Sequence, residues 1–303
     1  MVLKKKRQLL EALGMLGAAA VILILVATFS IHAGGTEATR QSETTVTSDT
    51  TNYSAIQMPA AAETEGTLVL VDGKTPWSFP ENDDLTTLFD VMTHSYSVRS
   101  SDIQVDSDIV NSLNAMMDAF QKATSLSDLN VVAGYRSLDD QKQLKQASIA
   151  EDGKEHSDRY VAAAGNSEHH TGLAIDLQIY RDGVSETFTG EGKYAWLYEH
   201  CADYGFVLRY PEGKEDQTGI ANESWHFRYV GAPHAQIMTE RGLCLEEYLE
   251  LLQEDYSWDS AHLQADNCEI YYCPGDTIHV AVGADYEVSG INQEGYVVTV
   301  WQN

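Results

Sequence analysis

Between Ser167 and Asp176 the chain reads Ser-Glu-His-His-Thr-Gly-Leu-Ala-Ile-Asp, and from Glu223 to Val230 it reads Glu-Ser-Trp-His-Phe-Arg-Tyr-Val. Each stretch is expected to be a buried strand entered through a polar turn. Side chains alternate along a strand, so Ala174, Asp176 and Gln178 share one face, as do His226, Arg228 and Val230. A carboxylate beside a small residue on an inward face, with histidines just upstream, suits a bound cation, because a buried Asp is rarely tolerated unpaired. Two histidines and one carboxylate leave the fourth position of a tetrahedral zinc open to water, the pattern of hydrolytic rather than structural zinc. Glu223 then stands beside the metal as a general base for the attacking water. Taken singly, a strand histidine is more often hydrogen-bonded scaffold, and Glu223 is one more surface acid. The joint order Ser-x-His-x-x-Gly-x-Ala-x-Asp and then Glu-x-x-His is what raises the chemical reading above the bland one.

A third stretch, Gly134-Tyr135-Arg136-Ser137 followed by Gln141, belongs to the same pattern. Over about Gly66 to Gln253 the sequence resembles the zinc D-alanyl-D-alanine carboxypeptidases of the VanY type, relatives of the D,D-dipeptidases and of L-alanyl-D-glutamate endopeptidases. The resemblance implies that His169, Asp176 and His226 bind one zinc ion, that Glu223 is the catalytic base and that Arg136 holds substrate and stabilises the oxyanion. It also implies that Ser167 and Gln141 line the substrate pocket. The implied reaction is hydrolysis of the terminal D-Ala-D-Ala bond of peptidoglycan stem peptides, releasing D-alanine with no covalent intermediate.

The chemistry of Arg136 agrees with that role. A guanidinium offers both charge and directed donors to a carboxylate or a developing oxyanion, and its bland alternative is an ion pair with Asp139 or Asp140. Arg228, two residues after His226 on the same face, is expected to pair an acid behind the metal or to touch substrate. Ser224 stands where the family pattern expects proline, a change expected to loosen the turn that presents Glu223. Two rival readings keep the same residues: an endopeptidase cutting another wall-peptide bond, and a zinc-stabilised binding module like the hedgehog signalling domain, which shares the architecture. Glu223 and Arg136 speak against the second.

The elements that must position these residues are legible from periodicity and punctuation. Thr67–Val71 reads as a strand closed by Asp72-Gly73. A helix follows from about Asp108, with Ile109, Leu113, Met116, Met117 and Phe120 as its core face and Ser107 as cap. Leu129–Ala133 reads as a strand, Ser137 opens a helix carrying Asp139 and Asp140 in its first turn, and further helices cover about 193–204 and 245–253. After Gln253 the pattern changes to short alternating strands at 269–272, 277–282, 286–289 and 296–301. The expected fold is α+β: a zinc peptidase domain with helices packed on a mixed, largely antiparallel sheet, over residues 66–254, plus a small C-terminal β region of unknown role over 255–303. The four cysteines show no C-x-x-C spacing; Cys201 and Cys244 are candidates for a disulfide in an exported domain, while Cys268 and Cys273 would point to opposite faces of one strand.

The chain has 303 residues and a formal charge of −27. That excess of acid repels a phosphate backbone, so nucleic acid is excluded as a partner. Four of its 19 basic residues, Lys4, Lys5, Lys6 and Arg7, cluster ahead of the 20 uncharged residues Ala12–Ile31. Such a run, helical, crosses a bilayer core of roughly 30 Å, with the basic cluster on the cytoplasmic side. It is longer than a secretory h-region, so residues 1–33 are expected to be a retained single-pass membrane anchor with the catalytic domain outside the cell; a cleaved signal peptide is the alternative. Residues 34–65, rich in Thr, Ser and Glu, read as a flexible stalk.

Overall fold

Residues 52–79 and 84–302 are described by the computed structural model, beginning with the strand β1 (Tyr53–Gln57). Short elements β2 (Leu85–Thr87), α1 (Leu88–Val91), β3 (Ser97–Val98) and β4 (Gln104–Asp106) lead into the long helix α2 (Val110–Thr124) and then β5 (Leu129–Ala133). Helices α3 (Leu138–Asp152) and α4 (Lys154–Tyr160) precede β6 (Ala174–Arg181) and β7 (Val184–Thr187). Next come α5 (Ala195–His200), β8 (Phe206–Leu208), α6 (Glu215–Thr218), β9 (His226–Tyr229), α7 (Ala232–Arg241) and α8 (Leu245–Asp255). The chain closes with β10 (Leu263–Ala265), β11 (Cys268–Cys273), β12 (Thr277–Ala281), β13 (Asp285–Gly290) and β14 (Tyr296–Trp301).

The fold is α+β, as expected. Its central sheet runs β3-β5-β6-β9-β8, with β7 paired to β6; only β3 and β5 are parallel. Along β6 the odd residues Ile175, Leu177 and Ile179 pack against Leu113, Met116, Met117 and Phe120 of α2. Pleating therefore turns Ala174, Asp176 and Gln178 to the opposite face, where the chemistry lies. On β9 Phe227 joins the same core, and His226 and Arg228 take the other side.

The C-terminal strands form a four-stranded antiparallel sheet, β10-β11-β14-β13, and a separate pair, β1-β12. This β region is not a detached appendage. Val230 and residues of α7 and α8 share one buried cluster with Leu263, Cys268, Ile270, Ile291 and Val297, and Leu68 and Leu70 belong to it as well.

Several expectations need correction. Order begins before Gly66: β1 lies inside the expected stalk and pairs antiparallel with β12, and Met58 and Ala62 are buried. The few apolar residues of that stretch, Ile56 and Met58 among them, have a sheet to pack on. Thr67–Val71, buried from Leu68 onward, forms no sheet ladder; the Arg228 guanidinium donates to the carbonyls of Thr67 and Val69, and Leu70 N–H donates to Ile291 O. The cap ahead of α2 is Asp106, accepting from Asp108 N, rather than Ser107. The helix expected over 193–204 is divided, because His200 leaves the helical region at φ −129° and a 3-10 turn carries the chain on to Gly205. All four cysteines are free and buried; Cys244 instead caps α8. The basic tip and the Ala12–Ile31 run lie outside the described residues, among which no helix is long and apolar enough to cross a membrane.

Candidate active site

Ladder register brings the distant motifs together. Asp176 on β6 is the direct antiparallel partner of His226 on β9, and also of Ala133 at the end of β5. The chain leaving β5 is zipped to the turn before β6. Arg136 N–H donates to His169 O at 3.0 Å, His169 Nδ1 meets Gly134 O at 2.7 Å and His170 Nδ1 meets Arg136 O at 2.7 Å. Two glycines let both segments lie against β4. A Cβ on Gly134 would come within 2.2 Å of Gln104 O, and Gly172, at φ +76°, would meet Asp106 N at 2.8 Å.

The result is a cleft of about 610 Å³ whose lining includes Arg136, Gln141, Ser167, His169, Asp176, Glu223 and His226. All seven expected site residues are therefore gathered in one place. His169 Nε2 lies 3.2 Å from Asp176 Oδ2, and His226 Nδ1 lies 3.0 Å from Asp176 Oδ1. One donor atom from each of the three residues falls within 4.8 Å of the other two. Zinc with ligands about 2.0–2.2 Å away separates neighbouring donors by roughly 3.3–3.5 Å, so the set fits that ion with small adjustment. Its chemistry fits too, because imidazole nitrogens suit zinc and a carboxylate oxygen is among that ion's usual ligands.

The surrounding charges support a cation here. Burial lowers the His169 pKa and the Arg136 guanidinium lowers it further, which keeps this imidazole neutral with Nε2 available as a ligand. Burial alone would also lower that of His226, but the carboxylates of Asp176 and Glu168 outweigh it and raise the ring to about 9. The space around Nδ1 thus attracts positive charge strongly, and a metal ion competes for that place with a proton. Burial raises the Asp176 carboxyl, but His169 and His226 prevail and hold it well below the usual range. Glu223, only 7% exposed, is pushed by burial to about 8 with help from Asp176, against the opposing pull of His226 and Arg136. A cation in the triad opposes the same rise.

Glu223 is presented by a firm turn. Its N–H donates to Tyr210 O, while Ser224 Oγ donates to Phe188 O at 2.5 Å and Ser224 O accepts from Tyr198 OH at 2.8 Å. The loosening expected from serine at this position is thus not found, since two hydrogen bonds anchor it. Arg136 is not engaged by Asp139, which pairs Lys142, and the Asp140 carboxylate bonds Ser137. Its NH1 donates to Gln141 Oε1 at 2.7 Å, and its NH2 stands 3.9 Å from Asp176 Oδ2. Gln141 is buried, with Nε2 donating to Ala162 O, so it steadies Arg136 as well as lining the cleft.

Of the two expectations for Arg228, pairing an acid behind the metal is the one the structure bears out, while that acid, Glu168, and its second partner, Arg209, were not foreseen. Arg228 does not reach substrate; it is fully buried, with NH1 donating to Glu168 Oε1 at 2.8 Å. Arg209 Nε donates to the same oxygen at 2.7 Å, and its NH1 and NH2 clasp Glu246 at the start of α8. Glu168 sits between Ser167 and His169 in the motif, and its position in that run was the one available signal. The Tyr210 ring packs 4.9 Å from that of His226 and lines the cleft.

The sequence profile of the VanY family, D-alanyl-D-alanine carboxypeptidase, matches residues 102–232. A D-alanyl-D-alanine carboxypeptidase of Enterococcus faecium is 35% identical over 243 residues, covering 78% of this chain and 76% of that protein. The solved structure of the vancomycin-resistance D,D-dipeptidase VanXYg, in complex with a D-Ala-D-Ala phosphinate analogue, is similar over 82% of this chain and 99% of its own, at 32% identity and a TM-score of 0.73. A variant of the D,D-pentapeptidase VanY from a VanB-type cassette, in complex with Zn(II), is similar over 61% of this chain and 99% of its own, at 32% identity and a TM-score of 0.51.

Proposed function

Because the chain belongs to the VanY family of zinc D-alanyl-D-alanine carboxypeptidases, we propose that one zinc ion is held by His169, Asp176 and His226 and that Glu223 and Arg136 carry the hydrolysis. The protein is an enzyme that cleaves the terminal D-Ala-D-Ala bond, and its substrate is a peptidoglycan stem peptide ending in that pair. The observation that carries the residue assignment is the common space onto which the three donors, the Glu223 carboxylate and the Arg136 guanidinium converge: Glu223 Oε2 is 3.7 Å from His226 Nδ1, and Arg136 NH2 is 3.9 Å from Asp176 Oδ2.

When bound, zinc supplies Lewis acidity, which brings the pKa of a water near neutrality and draws electron density from a carbonyl oxygen. Glu223 takes the proton of the attacking water and delivers it to the leaving amine, a role for which a buried carboxyl with a raised pKa is suited in both directions. Arg136, steadied by Gln141, directs its remaining N–H groups to the oxyanion or to the substrate's terminal carboxylate. Ser167 lines the cleft beside them. No side chain has to act as a nucleophile.

The working place of this enzyme is the outer side of the membrane, with Ala12–Ile31 as a single-pass anchor. Support for this comes from the uncharged run, the basic cluster before it and a substrate that belongs to the wall.

The test is to incubate the full chain, loaded with zinc, with a pentapeptide stem and weigh the products. Release of a single D-alanine with a tetrapeptide supports the assignment. Release of D-Ala-D-Ala, or a cut further inside, contradicts the bond preference.

A further inference from the structure

Glu168 is 1% exposed, and both of its oxygens are accounted for differently. Oε1 accepts from Arg209 Nε and Arg228 NH1. Oε2 is buried and has no hydrogen-bond partner. The Nε2 atom of His226 is likewise buried and without a partner, and the two lie 3.5 Å apart. The opposite edge of that ring, Nδ1, faces Asp176. A shift of roughly half an ångström would bring these two unsatisfied atoms to ordinary hydrogen-bond length.

From this geometry we infer that Glu168 is a positioning residue of the metal site: its free oxygen accepts the Nε2 proton of His226, so that the Nδ1 lone pair is presented to zinc. This rests on the reading of His169, Asp176 and His226 as the zinc set. A histidine ligand is held in one tautomer by whatever its other nitrogen bonds, and a carboxylate there makes the ligand more basic than a carbonyl does. The two histidines are treated unequally: His169 uses Nδ1 on the carbonyl of Gly134, and His226 uses Nε2 on a carboxylate.

What fixes Glu168 lies further out. Arg228 reaches the carbonyls of Thr67 and Val69, and Arg209 is clasped by Glu246. Leu68 N–H in turn donates to Ser289 Oγ on β13. The orientation of one metal ligand is therefore backed by an ion cluster, buried at Glu168, Arg209 and Arg228 and half-buried at Glu246, that reaches α8 and, through 67–69, the C-terminal β region. That region is part of the support for the site.

Three variants separate positioning from mere scaffolding. Glu168→Gln removes the charge and offers His226 an amide that donates. Glu168→Asp keeps a carboxylate for the two arginines but withdraws it from His226 by about 1.5 Å, one bond length. Glu246→Gln weakens the outer end of the cluster and leaves the Glu168 carboxylate in place. The readouts are zinc affinity by competition with a chromophoric chelator, the visible spectrum of the Co(II)-substituted protein and the melting temperature of the metal-free protein. Glu168→Gln and Glu168→Asp are expected to bind zinc roughly 10- to 100-fold more weakly and to shift the Co(II) bands. Glu246→Gln, which acts on Glu168 only through Arg209, is expected to melt earlier and to lose clearly less zinc affinity than either Glu168 variant. Parental affinity and spectrum in a folded Glu168→Asp variant overturn the inference. So does an equal loss of affinity in Glu246→Gln, or loss of the fold in both Glu168 variants, which assigns Glu168 to the scaffold alone. If the parent itself binds no zinc, the reading of the triad fails, and this inference fails with it.

Discussion

Asp176 and His226 stand directly opposite each other on β6 and β9, with Oδ1 3.0 Å from Nδ1. Residues far apart in sequence are thus set by backbone register, and a slip of one residue would turn either side chain to the α2 core. The carboxylate bridges both imidazoles, since its other oxygen meets His169 Nε2 at 3.2 Å.

Replacing Asp176 by Ala removes the member of the set that the other two share. The expected outcome is loss of bound zinc and loss of activity in step, measured as metal per chain after desalting and as product formed by the same sample. A variant with full zinc content and full turnover contradicts the ligand assignment.

Arg136→Lys preserves the charge but not the planar fork, which engages Gln141 Oε1 while facing Asp176. Zinc content should stay at the parental level while kcat/KM falls by roughly 10²- to 10³-fold, the usual effect of losing an oriented oxyanion donor. Unchanged kcat/KM would place the guanidinium outside the reaction.

His234 tests the joint between α7, α8 and the β region. Nδ1 meets Tyr248 OH at 2.8 Å and Nε2 meets Thr299 Oγ1 at 3.1 Å, and burial lowers the ring to about 4. The unfolded chain takes a proton near 6.5 that the folded protein refuses until about 4. Stability is therefore complete above pH 6.5 and declines as pH falls through that window, by about 3 kcal/mol in all. Melting curves of metal-free protein should show this decline, and His234→Gln should flatten it. An equal slope in the variant removes His234 as its source.

The legible part of the molecule was whatever repeats or has chemistry of its own. The three-and-four spacing from Ile109 to Phe120 gave α2, alternation gave β6 and the C-terminal strands, and the typed residues of the two motifs gave the triad and its base. Packing decisions were hidden. Thr67–Val71 has a strand's composition, but its carbonyls go to Arg228, a partner 159 to 161 positions away along the chain. Glu168, Arg209 and Glu246 look like ordinary charges in an acidic chain, and only burial on one side of His226 turns them into a cluster. Tyr53–Gln57 looked like stalk because its partner strand, Thr277–Ala281, lies near the other end of the sequence.

The anchor is tested on intact cells. Protease added from outside should remove the catalytic domain, and the remaining fragment should stay with the membrane fraction. Mature protein free in the medium and beginning near residues 30–34 would mean that Ala12–Ile31 is a cleaved signal instead.

In the proposed mechanism Glu223 is the base of a zinc site that does not need Glu223 for coordination. The most direct measurement is D-alanine released from a pentapeptide by Glu223→Gln, taken beside zinc content and melting temperature of the same preparation. Zinc content and melting temperature should stay parental, with turnover lower by roughly 10²- to 10⁴-fold. Turnover within a few-fold of the parent, at full zinc occupancy, contradicts that mechanism.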